Sequence, residues 1–203
     1  MIYVGTEKFI IDILEEHFED LGSLWLRREA SVFRGDWDLS RLAELEEQAL
    51  AHLDGLCLAG VHAADLAAPA LAGKETTAGI AASLTLMRLG SASYERAVVE
   101  AFAVAPETAR EGIRVGLRHS DIHGISGVLL DISSAGNPGL RLAALDVLAF
   151  HRRQPPRNLA EILAVPPELR VRMCEGLGRF GGPWERALLR DALDSGIPEL
   201  QRA

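Results

Sequence analysis

The residues of this chain whose types and spacing best suit chemistry are His119-Ser120-Asp121-Ile122-His123. Alternating His, Asp and His on an extended segment would turn two imidazoles and a carboxylate to one side, a donor set for zinc or a similar divalent cation. His119, however, also stands on one rung of a repeated apolar ladder, where other copies carry Leu89, His151 and Phe180. That position accounts for it without an ion, so no metal site and no cofactor are expected. Glu15, Glu16 and Glu19 beside His17 are carboxylates in number, but their spacing makes them the solvated face of an acidic helix. Ser31 and Ser126 lack the tight strand-to-helix turn of a nucleophile elbow, and Gly124-Ile125-Ser126-Gly127 follows no phosphate-loop pattern. No catalytic constellation emerges, and the chain is expected not to be an enzyme.

The elements that position these residues are set by an internal repeat. Pro106-Glu107-Thr108-Ala109, Pro138-Gly139-Leu140-Arg141, Pro167-Glu168-Leu169-Arg170 and Pro198-Glu199-Leu200-Gln201 begin 32, 29 and 31 residues apart. Proline suits the first turn of a helix, where its missing N–H has no intrahelical partner to lose. The apolar ladder after the third start is Leu169, Met173, Gly176, Leu177 and Phe180, which is one face of an α-helix. Leu140, Ala144, Val147, Leu148 and His151 repeat it, as do Ala78, Ala82, Thr85, Leu86 and Leu89. Thr108, Gly112, Val115, Gly116 and His119 match less well.

Second helices align too. Tyr94-Glu95-Arg96-Ala97-Val98-Val99 corresponds to Trp184-Glu185-Arg186-Ala187-Leu188-Leu189, each after a turn of small residues. A helix, a turn and a second helix at a period near 30 residues form a hairpin that cannot bury its apolar face alone, whereas stacked hairpins share one core. The register resembles the short bacterial HEAT repeats also known from phycobilin-lyase proteins, over roughly residues 74–203. The expected fold is all-α: a right-handed α-solenoid of about four HEAT-like hairpins, the last incomplete, behind an N-terminal helical module at 1–73.

In that module, residues 9–28 read as one helix with Ile10, Ile13, Leu14, Phe18, Leu21 and Trp25 on one face. A loop follows around Trp37, then a helix over 41–57 capped by Asp38 or Ser40 and carrying Leu42, Leu45, Ala49, Leu53 and Leu56. A short third helix is expected within 62–71, its middle interrupted by Pro69. Glu15-Glu16-His17, Leu24-Trp25-Leu26-Arg27-Arg28, Ala51-His52-Leu53-Asp54-Gly55-Leu56 and Ala59-Gly60 resemble an uncharacterised proteobacterial family. Its members join such a module to HEAT-like repeats, are usually longer, and in some cases are encoded near type VI secretion components. That resemblance implies no defined activity.

Second helices line the concave surface in HEAT-type solenoids, which puts Tyr94, Arg96, Trp184, Arg186 and Arg190 there as candidate partner-binding residues, of the types that most often anchor interfaces. The competing reading wedges Tyr94 and Trp184 between hairpins and pairs the arginines with Glu95 and Glu185. Charge narrows the partner. The net charge is −8, with residues 137–203 at +2 and residues 1–136 at −10. Such acidity repels phosphates, so no nucleic acid is expected. Cys57 and Cys174 have no metal spacing and read as small hydrophobes of a reducing compartment. Residues 1–9 lack a secretory pattern and no apolar run reaches membrane-spanning length, so a cytoplasmic protein is expected.

The expected function is therefore non-catalytic protein–protein interaction, as an adaptor, chaperone or immunity-like protein of a bacterial secretion or competition system. Two rivals remain. HEAT-like folds include DNA glycosylases and bilin lyases, the first opposed by acidity and the second by the lack of any pigment context. The other rival is a structural fragment of a larger scaffold.

Overall fold

A computed structural model describes residues 4–32 (side chains from Ile11 onward), 38–134 and 137–153, together with Arg186, Arg190 and Asp194. The chain divides into two compact units, Met1–Ile122 and His123–Ala203. Among the described residues all regular structure is helical, and no helix is long and apolar enough to cross a membrane.

The first unit contains α1 (Val4–Val32), α2 (Leu39–Ala59), α3 (Val61–Ala70), α4 (Thr76–Leu89), α5 (Ala92–Val104) and α6 (Glu107–Arg118). Along α1 the buried residues Leu14, Phe18, Leu21 and Trp25 recur every three or four positions, as a helical stripe requires. Ile13, expected on that face, is exposed, while the side chain of Ile10 lies outside the described residues. Helix α2 begins as expected at Asp38, whose carboxylate accepts the Arg41 amide at 2.8 Å and satisfies one of the donors left open by the first turn. Leu45, Ala49, Leu53 and Leu56 are buried, and Leu42 is half-buried. Gly60, at φ +56°, ends α2 and starts α3, so the pivot between them uses a left-handed backbone that favours glycine. Pro69 does not interrupt α3. It lies in the last turn, one residue before the end, where the helix has little left to lose.

The ladder assigned to α4 names only part of its buried surface. Every residue from Gly79 to Met87 is buried, because α1, α2, α3, α5 and α6 all pack on this helix. A helix apolar all round belongs at the centre of a core. Thus α1–α3 meet α4 across the 73/74 position at which the repeat pattern begins.

The closest packing joins α4 to α6. A methyl group added at Gly112 would fall on the Thr76 carbonyl oxygen and lie 3.0 Å from the Ile80 nitrogen. One at Gly79 would lie 2.8 Å from the Ala109 carbonyl oxygen, and one at Gly116 would meet the Ser83 hydroxyl. At the open end, Thr76 Oγ1 donates to the Thr108 carbonyl at 3.1 Å and Thr108 Oγ1 to the Lys74 carbonyl at 2.9 Å. The pairs Thr76–Thr108, Gly79–Gly112 and Ser83–Gly116 keep an offset of 32 or 33 residues, so the two helices run in the same direction. Gly112-Ile113-Arg114-Val115-Gly116 thus behaves as a small-xxx-small stripe that admits a neighbouring backbone. This explains the glycine rungs of α6: Gly112 leaves room for the main chain of α4 and Gly116 for the Ser83 side chain.

Arg110 closes α5. Its Nε donates to the Phe102 carbonyl at 3.2 Å and its Nη2 to that of Ala105 at 2.5 Å, neutralising carbonyls that the end of a helix leaves open.

The second unit contains a 3₁₀ turn at His123–Ile125, α7 (Ser126–Ser133) and α8 (Pro138–Phe150). As the pattern predicts, Pro138 stands in the first turn of α8 and Asn137 caps it, accepting from the Leu140 amide at 3.1 Å. Leu140, Ala144, Val147 and Leu148 are buried and His151 is half-buried. Arg186, Arg190 and Asp194 are helical and exposed. The repeat starts at Pro167 and Pro198 lie outside the described residues.

Candidate functional site

Helix α5 carries the first of the expected binding residues. Ser91 caps it by accepting the Tyr94 amide at 3.2 Å. Val98, Val99 and Phe102 face the core, so Arg96, Glu100 and Val104, four residues apart in turn, face outward and are exposed. Tyr94 is half-buried at the edge of the same helix. Arg96 forms no ion pair with Glu95 among the described residues, so the competing pairing is not made there. In the second unit Arg186 and Arg190 are each helical and open to solvent, while Trp184 lies outside the described residues. Tyr94 and Arg96 both belong to α5.

Two of the histidines weighed above, as a metal ligand and as part of a solvated face, have other partners. His119 ends α6 and is largely buried. Its Nε2 lies 3.0 Å from Glu29 Oε1, and its ring stands edge-on to Trp25 with centroids 5.2 Å apart. Asp121 and His123 are exposed, and no group of three or more metal-ligating side chains occurs among the described residues. His17 is not part of a wholly solvated face: it is half-buried, and its Nδ1 lies 2.9 Å from Nδ1 of His52 on α2. One ring must donate there and the other accept, so the contact requires at least one neutral imidazole. Asp20 Oδ2 lies 3.8 Å from His52 Nε2.

Glu29 is the centre of a polar cluster that the sequence reading did not find. Besides His119, its carboxylate takes Arg118 Nη1 at 3.2 Å and Arg28 Nη1 at 2.7 Å, and Arg28 reaches on to Glu46 of α2 at 2.8 Å. The cluster therefore ties the end of α1 to α2 and to the end of α6. Burial alone would raise the Glu29 pKa. The His119 hydrogen bond, the charges of Arg118 and His119, and the Arg28 hydrogen bond outweigh it and lower the pKa to about 2. A carboxylate held ionised that firmly, with both oxygens engaged, is a poor general acid or base near neutral pH. It anchors helices. Its partners lie 89 and 90 residues away, and no spacing rule links them.

Cys57 is half-buried rather than buried, and burial raises its thiol pKa despite the opposing charge of Arg88. This makes it a weak nucleophile. Cys174 lies outside the described residues. No family model, no curated protein and no solved structure matches this chain.

Proposed function

We propose that this chain is a non-catalytic protein-interaction module, a solenoid of HEAT-like hairpins that presents its second helices to a protein partner. The observation that carries the reading is that α4 and α6 pack side by side in the same direction, with close approaches 30–36 residues apart in sequence. In helical-repeat proteins corresponding helices of successive hairpins stack in the same direction, each touching mainly its neighbours, and the faces left open serve as binding surfaces. Helix α5, between the two in sequence, turns Arg96, Glu100 and Val104 to solvent. A role as adaptor, chaperone or immunity-like protein of a bacterial secretion or competition system is the biological form suggested by the sequence resemblance.

The test is site-specific photo-crosslinking in cells producing the chain, with a photoreactive residue at position 96, 190 or, as a comparison, 44. One protein captured from 96 or 190 and absent from 44, identified by mass spectrometry, supports the reading. Capture of the same set of proteins from all three positions, or from none, refutes it.

A further inference from the structure

Within the first unit, α3 and α5 border an open groove of about 460 Å³. Its walls include Ala68, Leu71 and Ala72 on one side and Ala97, Ala101 and Val104 on the other. Val104 is 82% exposed and adds an apolar side chain to the wall of the groove. Glu100 is the one ionisable residue among the described residues of the wall. Arg96 lies one turn before it on α5, and Asp65 lies three residues before Ala68 on α3. All three charges are exposed, and none has a hydrogen bond or ion pair among the described residues.

We propose that this groove docks one amphipathic helix of a protein partner, with its apolar stripe on the alanines and Val104, a Lys or Arg facing Glu100, and an Asp or Glu one turn away facing Arg96. The proposal rests on the interaction-module reading and names the partner's chemistry. Alanine walls carry no long side chains, so a third helix can approach to the usual interaxial distance of about 8–10 Å. Addition of a strand would need an open sheet edge, and none occurs among the described residues. Glu100 and Asp65 repel a phosphate backbone. The alternation of Arg96 and Glu100 at i and i+4 asks for the opposite alternation on the partner, and the order of those two partner charges along its sequence sets the direction in which its helix lies.

The experiment selects a phage-displayed library of 16-residue amphipathic helices against the full chain and measures the enriched peptides by fluorescence anisotropy. Enriched sequences should combine apolar residues at i, i+3 or i+4 and i+7 with a basic residue on the same face. Val104→Asp should weaken them at least about tenfold, or roughly 1.4 kcal/mol, while the circular dichroism spectrum stays unchanged because Val104 is exposed. Glu100→Lys should weaken them as well, and replacing the facing Lys of the peptide by Glu should restore affinity for that variant. Peptides that bind both variants as tightly as the original chain overturn the proposal, as does enrichment without a basic residue. A dimer in sedimentation that Val104→Asp dissociates overturns it in favour of a second copy of the chain. If crosslinking from position 96 captures one partner while the library yields no groove-dependent helix, the groove assignment fails and the interaction module survives.

Discussion

Gly112→Ala tests the packing on which the repeat architecture depends. In an unconstrained helix the change is favourable by about 1 kcal/mol, because alanine loses less backbone freedom. Here the new methyl group would meet the Thr76 carbonyl oxygen, and at 3.0 Å both the Thr76 carbonyl carbon and the Ile80 nitrogen. These are main-chain atoms of α4 that cannot rotate away, so the two helices must part by about 1 Å, and the close-packed contacts at Gly79, Ser83 and Gly116 open with them. Overpacking of this kind costs about 1–3 kcal/mol, and more where backbone must move. After the helix-propensity gain, a net loss of about 2 kcal/mol is expected, or about 4–8 °C in Tm for a chain of this length. Gly127→Ala is the control: it lies in α7, is exposed and has nothing within 4 Å of the added methyl, so it should be neutral or stabilising. Both are read by urea and thermal unfolding at 222 nm. A Gly112→Ala protein as stable as the original would falsify the close contact between α4 and α6, and with it the register argument.

Other predictions concern charge and caps. Glu29 has a folded pKa near 2, below its ordinary 4.5, so its contribution to stability is complete above about pH 4.5 and lost as pH falls towards 2. At 1.36 kcal/mol per pKa unit this contribution is at most about 3.4 kcal/mol. Glu29→Gln should therefore destabilise at pH 7 and the gap should narrow by pH 3 in urea titrations; a gap constant with pH rules the cluster out as its source. Asp38→Ala removes the cap of α2 and should cost about 1 kcal/mol by chemical denaturation, whereas Asp38→Asn should cost little. Arg186→Glu with Arg190→Glu should leave stability within about 0.5 kcal/mol because both side chains are exposed. The same double variant should reduce capture of a partner, and unchanged capture would exclude that pair from binding.

Much of the candidate surface was legible because it depends on local rules. The outward position of Arg96 follows from the 3.6-residue period once Val98, Val99 and Phe102 are assigned to the core. Its freedom from Glu95 was not legible, since both side chains are long enough to curl toward each other and only their placement in the fold decides the contact. The apolar groove beside it was not legible either: Ala97 and Ala101 look like ordinary helix formers, and only the neighbouring Ala68 of α3 and Ala72 just beyond it turn them into a wall.

The ends and faces of the helices belong to the sequence itself. Asp38, Pro106 and Pro138 mark helix starts, and the period of Leu14, Phe18, Leu21 and Trp25 marks a buried stripe, because caps and stripes are interactions within a few residues along the chain. Only the tertiary structure decided that α4 is buried on all sides, that Gly112 and Gly116 admit another backbone, that Glu29 belongs to His119 and Arg118, and that His17 meets His52. Each of these depends on how far one helix slides and rotates against another. The hydrophobic effect that drives that packing is set by area and has no direction, so it does not determine which two distant polar residues meet.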